Sequence, residues 1–118
     1  VSGSFSYPKS YRLLFRTDFQ KVAYRGFRHK GAYLAVEIMP NSFQITRLGI
    51  SISKKFGNSP QRNHFKRLVR EAFRLNRHRL LEGFDIVVKP RIPLIELTLE
   101  MVKKDLLGIL TDPRSFDS

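Results

Sequence analysis

The sequence predicts a mixed helix-and-strand domain, α+β or α/β in its layering, in the order helix, two or three strands, helix, strand, helix, with helices against one sheet face. The hydrophobic period switches along the chain from about 3.6 to two and back. Turn and cap residues stand where it switches. The 118 residues, 42% hydrophobic and 12% aromatic, suit one packed core and argue against a disordered basic tail. A single domain over 1–118 is expected, with 1–16 an irregular N-terminal segment and 112–118 a frayed tail.

Thr17-Asp-Phe-Gln20 has the form in which a Thr and a Gln side chain satisfy each other's free helix-end amides. A short helix from about Asp18 to Tyr24 follows, with Phe19, Val22 and Ala23 on one side and Gly26 ending it. From Phe27 the period is two. Leu34, Val36 and Ile38 alternate with Tyr33, Ala35 and Glu37; Pro40-Asn-Ser turns the chain; Leu48, Ile50 and Ile52 alternate with Gly49, Ser51 and Ser53. These read as two antiparallel strands, or three if Phe27 to His29 adds a short one. The face of Gly49, Ser51 and Ser53 leaves room for something to lie close to the sheet, and a groove or a small-residue solvent face both fit it.

Ser59-Pro60 reads as an N-cap followed by a first helical proline, opening a long helix to about Arg79. Phe84, Ile86 and Val88 mark another strand, ended by Pro90 and Pro93. Thr98 then caps a last helix with Leu99, Val102, Leu106, Ile109 and Leu110 inward. A helix between two strands permits their parallel pairing, so the strands flanking the long helix are expected to be neighbours.

Lys and Arg number 22 against 10 Asp and Glu, a net charge of +12 that points to a polyanionic partner, nucleic acid first. Cysteine is absent, which excludes disulfide frameworks, thiolate nucleophiles, cysteine zinc sites and iron–sulfur clusters. No apolar run approaches the roughly 20 residues needed to span a bilayer, and the opening segment has no signal-peptide pattern, so a soluble, cytoplasmic protein is expected.

The excess charge concentrates between Lys54 and Arg79, where nine basic residues face one acid, Glu71. Advancing about 100° per residue, Arg62, Asn63, Lys66, Arg67, Arg70, Arg74 and Arg77 share a sector about 140° wide, opposite Phe65, Leu68, Val69, Ala72 and Leu75. Phe73 stands at the boundary, where its ring could finish the core or meet a base. Solvated helix faces usually mix charge signs, because like charges at i, i+4 cost roughly 0.2–0.5 kcal/mol each. The row Arg62, Lys66, Arg70 and Arg74 repeats that cost, and phosphates are the economical compensation. The helix entrance adds free amides, Lys54, Lys55 and a permissive Gly57, and Asn63 can donate and accept toward a base edge or a 2′-hydroxyl.

Ser53-Lys-Lys-Phe-Gly-Asn58 followed by Arg62-Asn-His-Phe-Lys-Arg67-Leu-Val-Arg70-Glu-Ala-Phe73 resembles the signature of the bacterial ribonuclease P protein subunits. Weaker similarity runs through Tyr7-Pro-Lys, Leu13-Leu, Asp18-Phe-Gln-Lys-Val22 and Asp85-Ile-Val-Val-Lys89. The resemblance implies the element order α-β-β-β-α-β-α, a mixed four-stranded sheet, and an unusual left-handed parallel crossover around the long helix, against the general preference. It implies a catalytic RNA subunit that, with Mg²⁺, removes the 5′ leader of precursor tRNA, while the protein supplies no catalytic residue, holds no metal itself and needs no obligatory protein partner. Lys54, Lys55, Arg62, Asn63, His64, Lys66, Arg67, Arg70 and Arg74 are then the RNA-binding candidates. His64 departs from the family's usual arginine. A groove between the first helix and the sheet would take the leader, with Phe19, Tyr24, Tyr33, Val36 and Ser51 as candidates; Ala23 and Val36 stand where the family carries aromatics.

Two other functions compete. A self-sufficient metal nuclease needs clustered carboxylates or histidines; the acids are scattered and His29, His64 and His78 have no ligand spacing. A ribosomal-type structured-RNA protein without a processing role would share the basic helix and aromatic sheet, and only the motif separates it from the first reading.

Overall fold

The computed structural model describes Arg12, Leu13 and residues 15–43, 45–76 and 83–111. In chain order the elements are α1 (Arg16–Arg25), β1 (Phe27–Lys30), β2 (Leu34–Pro40), β3 (Arg47–Ile50), a 3-10 turn (Lys54–Phe56), α2 (Ser59–Asn76), β4 (Phe84–Pro90), a second 3-10 turn (Leu94–Glu96) and α3 (Leu99–Leu110). The Tyr7-Pro-Lys segment, the basic residues Arg77, His78 and Arg79, and the expected tail 112–118 lie outside the described residues.

The four strands form one mixed sheet in the order β1-β2-β4-β3. The expected extra strand is present as β1, antiparallel to β2. The parallel pairing across the long helix also holds, with Arg47 opposite Asp85 and Ile50 opposite Val88. The two strands read as an antiparallel pair, however, are not neighbours. β4 inserts between them, antiparallel to β2 from Leu34↔Pro90 to Pro40↔Phe84. Its Asp-Ile-Val-Val run is buried throughout, as a central strand covered on both faces requires.

Helices cover both faces rather than one. On one side α2 and α3 bury Phe65, Val69, Phe73, Val102, Leu106 and Leu110 against Leu34, Val36, Ile38, Ile86 and Val88. On the other, Val22 of α1 meets Val87 and Leu13, with Phe19 and Met39 alongside. β3 is an edge strand, and the chain before α1 partly covers it: Leu13 N–H donates to Leu48 O at 2.9 Å.

Three helix details differ from the sequence reading. α1 starts at Arg16, capped by the Phe15 backbone without a side-chain bond. Thr17 lies inside it, Asp18 stands 3.9 Å from Arg47, and Gln20 lines the groove, so the expected Thr17–Gln20 capping pair is not formed. α2 is capped by Asn58, not Ser59: Asn58 Oδ1 accepts from Gln61 N–H at 2.9 Å and Gln61 Oε1 accepts from Asn58 N–H at 3.0 Å. Phe73 completes the core at 1% exposure, whereas Leu75 is 43% exposed. The last helix follows expectation, its Thr98 hydroxyl accepting from Met101 N–H at 3.3 Å.

Candidate RNA interface

The 3.6-residue period of α2 sends its apolar residues to the sheet and leaves Asn63, His64 and Arg67 exposed, with Lys66, Arg70 and Arg74 half-buried along its flanks. Lys54 and Lys55 stand exposed on the preceding 3-10 turn, the Lys55 ammonium 5.2 Å from the Phe56 ring centre. All nine predicted RNA-binding residues therefore belong to one helix and the turn leading into it. Arg62 is turned inward. Its guanidinium donates to Gly57 O at 3.2 Å and Ser59 Oγ at 3.0 Å, fastening the lysine turn to the helix. Gly57 serves packing there: its backbone is extended, but a Cβ would come within 3.1 Å of Leu94 and Gln61. Arg74 pairs with Glu71 at 2.6 Å, so the like-charge row is relieved at that end.

Two hollows flank the helix. Toward α3, His64, Arg67, Arg70, Arg74, Glu71, Leu68 and Leu99 line one of about 400 Å³. Toward the β3 edge, Lys66 and Arg70 meet Arg12, Leu13, Phe19, Leu48, Gly49 and Ile50 around another of about 270 Å³. Arg70 borders both.

Between α1 and the sheet lies the expected groove, and it contains Phe19 and Ser51 with Arg16, Gln20, Ala23, Glu37, Val87 and Lys89, about 290 Å³ in volume. Arg16, Phe19, Gln20 and Ala23 recur at helical spacing and form one wall. The small-residue face of β3 is partly filled from within: a Cβ on Gly49 would stand 2.6 Å from the Phe19 ring. Three groove candidates are placed elsewhere. Val36, fully buried, and Tyr33 pack on the opposite sheet face with α2 and α3. Tyr24 is 90% exposed on α1 and does not line the groove. Ala23 does, so the groove takes its shape from a small residue at that point.

Beyond it lies a wider hollow of about 630 Å³ around Phe15, Asp18, Lys21, Arg25, Met39, Phe43, Arg47 and Asp85. Arg47 donates to both Asp85 oxygens, at 2.9 and 2.7 Å, and Asn41 Nδ2 adds a bond to Oδ1 at 2.8 Å. The hydrogen bond to Asp85 is the main cause that raises the Arg47 pKa above its ordinary value, against desolvation, with the charges of Asp85 and Asp18 adding. Phe43 stacks over this guanidinium, 4.6 Å from centre to carbon. Sequence reasoning missed Arg47, Glu37 and Lys89. Each had a faint signal, a charged residue within a mostly apolar strand.

The ribonuclease P family model matches residues 7–113. The ribonuclease P protein component of Desulforapulum autotrophicum is 38% identical over 88% of this chain and 89% of its own length. The crystallised ribonuclease P protein of Thermotoga maritima, 38% identical, superposes with a TM-score of 0.78 over 85% of this chain and 94% of that one. That of Staphylococcus aureus, 33% identical, gives 0.80 over 92% and 100%. Sequence, mixed sheet and basic helix together show that the chain belongs to the bacterial ribonuclease P protein family, the protein components of that ribonucleoprotein.

Proposed function

We propose that the chain serves ribonuclease P by binding, while the RNA subunit carries out Mg²⁺-dependent cleavage of precursor tRNA. The exposed face of α2 and the lysine turn lie on the catalytic RNA, and the groove between α1 and the sheet receives the single-stranded 5′ leader. The supporting observation is the hollow where Lys66 and Arg70 of α2 meet Phe19 and Gly49 of the groove, since it gives RNA on the helix and a strand in the groove one continuous basic border. Holding the leader there turns binding energy into positioning, and neutralised phosphates ease the folding of the RNA.

The carboxylates suit this division of labour. Asp85 is taken by Arg47, Glu71 by Arg74, and Asp105 by the N–H groups of Ala32, Tyr33 and Leu34 at 3.1, 2.7 and 2.8 Å. Among the described residues no three His, Asp or Glu gather to hold a metal. In this reading the ion is held by RNA phosphates rather than by the described side chains. No described helix is long and apolar enough to cross a membrane, and a cytoplasmic complex of this chain with RNA alone is the setting we propose.

Reconstitution tests it. The chain added to a bacterial catalytic RNA at moderate Mg²⁺ should accelerate precursor-tRNA cleavage, and the chain alone should cleave nothing. Cleavage without RNA, or no stimulation with it, would overturn the proposal.

A further inference from the structure

The groove floor holds a buried charge that packing alone does not explain. Glu37 is 7% exposed on the α1 side of β2, and its Oε1 is buried without a hydrogen bond. Its partner is Lys89, whose Nζ stands 3.0 Å from Oε1 in an ion pair that lacks the alignment of a directed bond. Desolvating two charges commonly costs more than their attraction returns, and a carboxylate with so few donors is a group that needs explaining. Neither side chain closes the sheet: strand pairing runs through the backbone, with Glu37 opposite Val87. Both line the hollow under α1, beside the Ser51 hydroxyl, the Gln20 amide and the Phe19 ring.

We propose that Glu37 and Lys89 select a guanine at one position of the leader. This rests on the reading of the groove as the leader site and adds which base it takes. A carboxylate accepts from two adjacent donors, and among the four bases guanine alone offers them on its Watson–Crick edge, N1–H and N2–H, with the O6 acceptor next in line for an ammonium. Lys89, a third exposed, moves from Glu37 Oε1 to O6 as the base enters, leaving both carboxylate oxygens to the base. Phe19 offers a ring against which the base stacks, and Arg16 at the groove mouth faces its phosphate.

The test uses reconstituted holoenzyme and precursor tRNAs whose leaders are varied one position at a time. Affinity for precursor tRNA against mature tRNA comes first: equal affinities would remove the groove reading itself, and this proposal with it. Given a leader contribution, one position should favour guanine over each other base by about tenfold in kcat/KM, and Glu37→Gln, which replaces one acceptor by a donor, should reduce that ratio below about twofold. Lys89→Gln, on a more exposed side chain, should lower the same ratio and serves if the Glu37 variant folds poorly. A merely structural pair would weaken all four leaders equally. Wild-type enzyme indifferent to base identity at every position, or variants that keep the wild-type ratio, would overturn the assignment.

Discussion

At Arg47 a guanidinium meets the nearly buried Asp85, the more distant Asp18 and the Phe43 ring, and this cluster ties the start of β3 to the start of β4. Removing the cation would leave the Asp85 carboxylate buried without its main partner, so Arg47→Met should lower stability by about 3 kcal/mol, read from urea unfolding. A smaller loss on adding Asp85→Val would show that the cost lies in the orphaned charge. Because the pairing raises the Arg47 pKa, its contribution is fully present below the unfolded value and fades only as pH climbs through the still higher folded one. It is therefore constant through neutral pH. On α2, the exposed Arg67 should act through phosphate: Arg67→Ala should weaken catalytic-RNA binding and flatten the plot of log K against log salt by about 0.7–0.9. An unchanged slope would take Arg67 out of the interface. The placement of the Arg-Asn and Lys-Arg residues was legible because a continuous helix fixes their relative directions, whereas Lys54 and Lys55 stand on the separate 3-10 turn that leads into it. Val36 was misplaced because a period of two separates a strand's faces without saying which helix covers which, and Tyr33 because it stands just before β2, where the alternation does not set its direction.

The long helix and the last helix could be read from periodicity, since each depends on residues three and four apart. Strand pairing could not, because β2 finds β4 across more than forty residues and nothing in either segment names its partner. The start of α2 was misread by one position for a different reason. Ser59-Pro60 and Asn58-Ser-Pro-Gln61 are both sound N-terminal signals, and the reciprocal Asn58 and Gln61 bonds satisfy two amides where a lone serine would satisfy one. Asn58→Ala should therefore cost about 1 kcal/mol, and Ser59→Ala clearly less, in thermal or urea melts. Equal losses would return the cap to Ser59. Phe73 settles a choice the helical wheel left open: its ring belongs to the core, and Phe73→Ala should cost about 3–5 kcal/mol.

The sheet separates the molecule into a thick layer under α2 and α3 and a thin one under α1, and the proposed RNA contacts divide along the same line. Basic α2 sits over the thick layer, anchored by Phe65, Val69, Ala72 and Phe73 in the large apolar core. The groove sits over the thin layer, where Phe19 and Gly49 set how near a strand can approach the sheet. Apart from the hollow they share at the β3 edge, the two surfaces should then fail independently. Gly49→Ala would bring a Cβ to 2.6 Å from the Phe19 ring, so the ring must move and the groove must change shape, while α2 keeps its own packing. Precursor-tRNA affinity of the reconstituted enzyme should fall several-fold toward that of mature tRNA. Binding of the protein to catalytic RNA, with its full salt slope, should persist. Parallel loss of both would mean that one surface serves both RNAs, and the division of the sheet's two faces would have no functional counterpart.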